Sequence, residues 1–240
     1  MHNSYDFRAG EVLLINKPLT WTSFQAINKM KWLMKNHPSL MLDGKRVQGK
    51  IGHAGTLDPL ATGLLIVCTG KRTKNIEQYQ AKEKEYTGTF YIGATTPCYD
   101  LEKPIDVHYP TDHITEELIK ATTLQFTGTI QQTPPLFSAI KIAGKRAYDI
   151  ARAGKTAEIK PKEITISKFE ITRIDLPYID FRVVCSKGTY IRSLARDCGL
   201  ALNSGGHLTA LCRTRIGEYE LKNAITIEEF EDSLKEKNAD

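Results

Sequence analysis

Long apolar runs are missing from this chain. The longest, Leu64 to Cys68, has five residues, whereas a helix needs about 20 to cross a bilayer, and the N-terminus is polar where a signal peptide has an apolar core. No membrane association is expected, and the location expected is cytoplasmic. Cysteine is scarce too: five residues, at 68, 98, 185, 198 and 212, are odd in number and include no C-x-x-C pair. Neither a disulfide framework nor a zinc ribbon is indicated. The one loose group of histidines and carboxylates, Asp106, His108, Asp112 and His113, lacks the spacing of a metal site, so no metal is expected. No internal repeat or low-complexity tract interrupts the chain.

What is present is an ordinary balance for a folded protein. The 240 residues are 41% hydrophobic and 25% charged, enough for one large or two small domains. Net charge is +5 and unevenly spread: residues 141–173 carry nine basic and four acidic side chains, while residues 218–240 carry eight acids and three lysines. A basic body with an acidic tail suits a polyanionic partner such as nucleic acid, although a charge run by itself more often marks a solvated face.

Residues 11–15 read as a strand ended by Asn16-Lys17-Pro18. Thr22 to Gln25 has the form of a capping box ahead of Phe24, Ile27, Met30 and Met34 at helical spacing, which predicts a helix over about 23–36. His37-Pro38-Ser39 stops it, and 43–50 is a polar, basic loop. Segments 84–94, 126–132, 164–175 and 178–185 are rich in β-branched and aromatic residues and read as strands. Helices are expected over 115–125, 145–154 and 191–202. Strands and helices do not alternate regularly, so the expected class is α+β with a mixed, largely antiparallel sheet.

The most informative stretch is Gly52-His53-Ala54-Gly55-Thr56-Leu57-Asp58-Pro59-Leu60-Ala61-Thr62-Gly63. It holds one carboxylate among glycines and apolar residues, where an unpaired charge costs several kcal/mol and needs a partner. Asp58 followed by Pro59 also fits the capped start of a helix. The stretch resembles the active-site motif of the tRNA Ψ55 type of pseudouridine synthases. The resemblance continues through Leu13 to Pro18, Thr22-Ser23, Lys71 to Lys74, Lys84-Glu85-Tyr86, Pro134 to Lys141, Cys185 to Arg192 and Gly206 to Leu211. Thr20 stands where that family usually has Gly, and Cys212 where many bacterial members have Arg.

The resemblance implies a twisted mixed sheet with a central cleft and an inserted RNA-binding thumb at about 133–158. It implies isomerisation of uridine to pseudouridine in the T loop of tRNA, with the base flipped out of its stack, no redox change and no cofactor. On this reading Asp58 is the catalytic group, attacking C1′ or removing a ribose proton, and Arg192 supports its carboxylate. Tyr86 stacks on the base, Tyr190 and Leu211 line the pocket, and His53 supports the rearranged loop. Without the resemblance, Arg192 is equally a surface helix residue, Tyr86 and Tyr190 core aromatics, and Leu211 core. Lys74 is a phosphate contact or a solvated cap, and Lys141, Lys145, Arg146 and Arg152 are the thumb's expected RNA contacts. A catalytic domain over 1–217 and a short acidic extension over 218–240 are expected, with no PUA domain, no guide RNA and a monomeric state. Gly44 to Ile51 nearly spells a phosphate-binding loop, but Ile51 occupies the place of the magnesium-ligating hydroxyl, which argues against a nucleotide hydrolase. A noncatalytic RNA-binding protein is disfavoured by the presence of Asp58, Tyr86 and Arg192 together.

Overall fold

In the computed structural model, which describes residues 5–138, 140–142, 145–147 and 157–235, the chain divides into two units, residues 1–84 with 212–240 and residues 85–211. The principal strands, in chain order, are β1 (Val12–Lys17), β2 (Ile51–His53), β3 (Ala61–Thr69), β4 (Lys84–Ile92), β5 (Gly128–Gln132), β6 (Lys162–Asp175), β7 (Tyr178–Cys185), β8 (Gly206–Ile216) and β9 (Tyr219–Glu220). Among the described residues the principal α-helices are α1 (Ser23–Met34), α2 (Ile76–Ala81), α3 (Glu116–Gln125), α4 (Ile191–Ala201) and α5 (Ile227–Lys235).

In the first unit β1 pairs antiparallel with β3, Leu13 opposite Val67 and Ile15 opposite Leu65, and β2 pairs with β3 through His53 and Val67. The apolar run on β3 is continuous because both of its faces are covered. Leu65 and Val67 join Leu13, Ile27, Met30 and Phe230 in one cluster, while Leu64, Ile66 and Cys68 join Ala54 and Ile216 in another. α1 begins where the sequence predicts: the Thr22 hydroxyl accepts from the Gln25 N–H at 3.0 Å, and the Thr22 N–H donates to Gln25 Oε1 at 2.7 Å. Thr226 and Glu229 repeat this reciprocal cap ahead of α5. The tail meets β1 in a single parallel bridge between Ile15 and Ile225.

In the second unit the strand order is β8, β4, β7, β6, β5, and β6 runs antiparallel to both β7 and β5. Phe90 of β4 stacks on Phe181 of β7 with centroids 4.1 Å apart, and Phe169 of β6 meets both rings edge-on. Ile119 of α3 and Cys198 of α4 close this aromatic layer. Gly88 is required by a close approach: a Cβ there would lie 2.9 Å from the Phe181 ring and run into the Ala210 carbonyl. All described ladders are antiparallel, in keeping with the α+β class.

Two expectations change. No helix starts at Pro59; residues 59–60 turn directly into β3, because the Pro59 carbonyl is taken by the Thr20 N–H at 2.8 Å and so is withheld from a helical ladder. The helix expected over 145–154 does not begin at 145: Lys145 and Arg146 are extended and pair with Lys141 and Ile142. Arg152 lies outside the described residues, as do residues 139, 143–144 and 148–156 of the expected thumb. β3 and β8 were not assigned from sequence at all.

Candidate active site

The loop that carries Asp58 is gripped from three directions, all within the first unit. Ser23, at the start of α1, donates its hydroxyl to the Leu57 carbonyl at 3.1 Å and accepts the Leu57 N–H at 2.9 Å. Lys17, the last residue of β1, is 0% exposed, and its ammonium donates to the carbonyls of Trp21 at 2.6 Å, Pro18 at 2.9 Å and Pro59 at 3.5 Å. Arg213 of β8, 1% exposed, donates Nε to the Leu64 carbonyl at 2.8 Å, Nη2 to Gly55 at 3.0 Å and Nη1 to Thr56 at 3.5 Å. The main chain on both sides of Asp58 is thus pinned by buried side chains. Gly63, at φ +100°, is needed here: a Cβ would strike the Arg213 backbone.

Two buried cations beside a half-buried carboxylate set the electrostatics. Burial pushes the Lys17 ammonium down to about 8, against the attraction of Asp58, and Arg213 pushes the same way as burial. His53, at the end of β2, is held below its ordinary value first by burial and then by the Arg213 charge, so it stands as neutral imidazole. Its Nδ1 is buried and has no hydrogen-bond partner. A main chain fixed around one carboxylate, in a positive and partly dry surrounding, suits nucleophilic or proton-transfer chemistry.

Of the remaining expected site residues, Lys74 lies in the first unit and the others in the second. Tyr86 lies on the face of β4 that also carries Phe90 and Ile92, and is 9% exposed. Tyr190 occupies the N-cap position of α4, where the Gln132 side chain of β5 brackets it: the Tyr190 N–H donates to Gln132 Oε1 at 2.8 Å and Gln132 Nε2 donates to the Tyr190 carbonyl at 3.1 Å. Arg192 is 5% exposed, not the surface residue its sequence equally allowed. It donates to the carbonyls of Cys98 at 3.1 Å and Phe137 at 2.9 Å and faces Asp100 at 3.6 Å. Leu211, on β8, is half-buried, and Lys74 is exposed in the turn before α2. Of Lys141, Lys145 and Arg146 only the backbone pairing is described.

Sequence reasoning placed Lys17 in a motif but gave it no role, and missed Arg213, Gln132 and Asp100. Nothing in the sequence marks them: a buried lysine or arginine is spelled like a surface one. Among the described residues no group of His, Cys, Asp and Glu could hold a metal ion, all five cysteines are free, and no helix is long and apolar enough to cross a membrane.

Known proteins fit this arrangement over nearly the whole chain. The family model described as TruB family pseudouridylate synthase (N terminal domain) matches residues 43–191, and that described as tRNA pseudouridylate synthase B C-terminal domain matches residues 192–240. tRNA pseudouridine synthase B of Flavobacterium johnsoniae is 62% identical over 229 residues, covering 95% of this chain and 98% of the relative. The protein of that name from Parabacteroides distasonis is 55% identical over 231 residues, 96% of each chain. Among solved structures, a chain of a Cbf5-Nop10-Gar1 complex superposes with a TM-score of 0.69 at 28% identity, covering 95% of this chain but only 55% of that one. At this level of identity over full-length relatives, with the Asp58 loop inside the matched region, the chain belongs to the TruB family of pseudouridylate synthases.

Proposed function

We propose that this protein isomerises uridine to pseudouridine at position 55 in the T loop of tRNA, acting alone as a cytoplasmic monomer without a guide RNA. The reaction breaks the N-glycosidic bond, turns the uracil and joins C5 to the same ribose carbon, so atoms and electrons balance without a cofactor. The observation that carries the reading is the Asp58 loop, pinned at Gly55, Thr56, Leu57 and Pro59 by Arg213, Ser23 and Lys17. Such fixing of a main chain around one carboxylate is what positioned covalent or proton-transfer chemistry requires.

Asp58 acts on the ribose, by attack at C1′ or by removing a ribose proton. Tyr86 presents its ring to the flipped base, Tyr190 and Leu211 bound the base, and His53 supports the displaced part of the loop. Arg192 steadies the Asp58 carboxylate during the reaction. Lys74, Lys141, Lys145, Arg146 and Arg152 contact RNA phosphates. Relatives at 54–62% identity that bear the name tRNA pseudouridine synthase B support an enzyme acting on tRNA.

Incubating the purified protein with total tRNA and mapping pseudouridine tests this. Modification confined to the T loop, and its disappearance with Asp58→Asn, is the expected result; modification elsewhere, or equal modification by both proteins, would remove the reading.

A further inference from the structure

A second feature of the first unit has nothing to do with the Asp58 loop. Between α1 and the short hairpin formed by residues 41–42 and 45–46 lies a cleft of about 590 Å³ lined by Asn28, Lys31, Trp32, Lys35, Arg46 and Val47 among others. Its volume lies in the range of small-molecule sites. Trp32 is 56% exposed, an unusual position for an indole, and the ammonium groups of Lys29 and Lys35 sit 5.0 and 4.7 Å from its ring centre. Residues 28–50 contain six basic side chains and one acid, Asp43, and no carboxylate lines the cleft among the described residues. Lys29 is paired with Glu231 at 3.2 Å; no ion pair is described for Lys31, Lys35 or Arg46.

We infer that this cleft is a second RNA-binding site, taking an unstacked nucleotide of the substrate RNA with its base on the Trp32 ring and its flanking phosphates on Lys31, Lys35 and Arg46. The inference rests on the proposed action on tRNA. Positive charge interleaved with an exposed aromatic matches the two faces of a single-stranded nucleotide. An exposed cation held over a ring is a weaker contact than a stacked base, so the base displaces the Lys35 ammonium, which turns to the phosphate.

Binding of a full-length tRNA transcript across a range of salt concentrations separates the outcomes. The Lys31→Ala, Lys35→Ala, Arg46→Ala triple variant should bind about tenfold more weakly and lose about two units from the slope of log affinity against log salt, since each phosphate contact contributes roughly 0.7–0.9. Trp32→Ala should weaken binding and Trp32→Phe restore it. Turnover of an isolated T stem-loop at saturation should match the wild type in all three variants, which also reports that they fold. Wild-type affinity and slope in the triple variant, or the same affinity for Trp32→Ala and Trp32→Phe, would overturn the second site while leaving the proposed function standing. Competition at the cleft by polyglutamate as effective as that by RNA would overturn its assignment to nucleic acid. Absence of stem-loop turnover by the wild-type protein would instead sink the functional reading.

Discussion

Asp58 and Asp100 are both carboxylates set beside buried cations, one in each unit, and their surroundings are built differently. Asp100 is 3% exposed, faces Arg192, accepts the Glu102 N–H at 3.0 Å and lies 3.0 Å from the Cys98 thiol. Its side chain is itself the hub of the loop. Asp58 is only half-buried, and the cations beside it, Lys17 and Arg213, give their described hydrogen bonds to main-chain carbonyls. The loop around Asp58 is held through its main chain by Lys17, Ser23 and Arg213. The difference separates a buried acid that anchors its own loop from a half-buried one whose loop is anchored at the peptide.

The largest effect that could break this contrast is on turnover. Asp58→Asn should lower pseudouridine formation by on the order of 10⁴ or more while the midpoint of urea unfolding stays near that of the wild type; a tenth of wild-type turnover would be enough to erase the distinction. Asp100→Asn should do the reverse. Removing one member of a buried pair costs about 3 kcal/mol or more, a drop in Tm of roughly 6–12 °C for a chain of this size, with residual turnover at a temperature where the variant is folded.

Lys17 sharpens the contrast through pH. Its folded value of about 8 lies below the unfolded 10.5, so below pH 8 both states are protonated and the burial penalty is present in full. As pH rises from about 8 to 10.5 the unfolded chain binds more protons than the folded one, and this group's contribution to stability rises, by up to about 3 kcal/mol. Urea unfolding of wild type minus Lys17→Met across that window should show the rise; a flat difference would mean that the ammonium is not strained by burial.

The smallest expected effect concerns Tyr86. Base stacking is worth about 1–3 kcal/mol, so Tyr86→Leu should lose roughly 10- to 100-fold in kcat/KM on a T stem-loop, and Tyr86→Phe should keep RNA affinity. Equal, near-wild-type values for both would return this residue to a purely packing role.

Much of this is legible in the sequence. α1 was readable because its cap and its apolar spacing are local, and β6 and β7 because β-branched residues and turns mark them. The Asp58 loop was readable because its residues are contiguous. β3 was hidden by its double burial: with Leu65 and Val67 on one face and Leu64 and Ile66 on the other, the alternation that signals a strand is erased. Arg213 was hidden for a different reason. In Arg213-Thr214-Arg215 the first guanidinium turns inward to the Gly55 carbonyl while the second pairs with Glu83 at 3.0 Å, a division that composition cannot express. The helix expected at Pro59 failed because local propensity knows nothing of Thr20 and Lys17, which claim the carbonyl from about 40 residues away.

The clamp on the Asp58 loop also bears on how freely this segment can change. Lys17, Ser23 and Arg213 grasp peptide oxygens and an amide, atoms that every residue supplies, so the path of the loop is indifferent to the side chain at the exposed Thr56. A saturation library at that position should retain the backbone while varying the exposed side chain, which makes the loop an evolvable surface laid over an invariant peptide track.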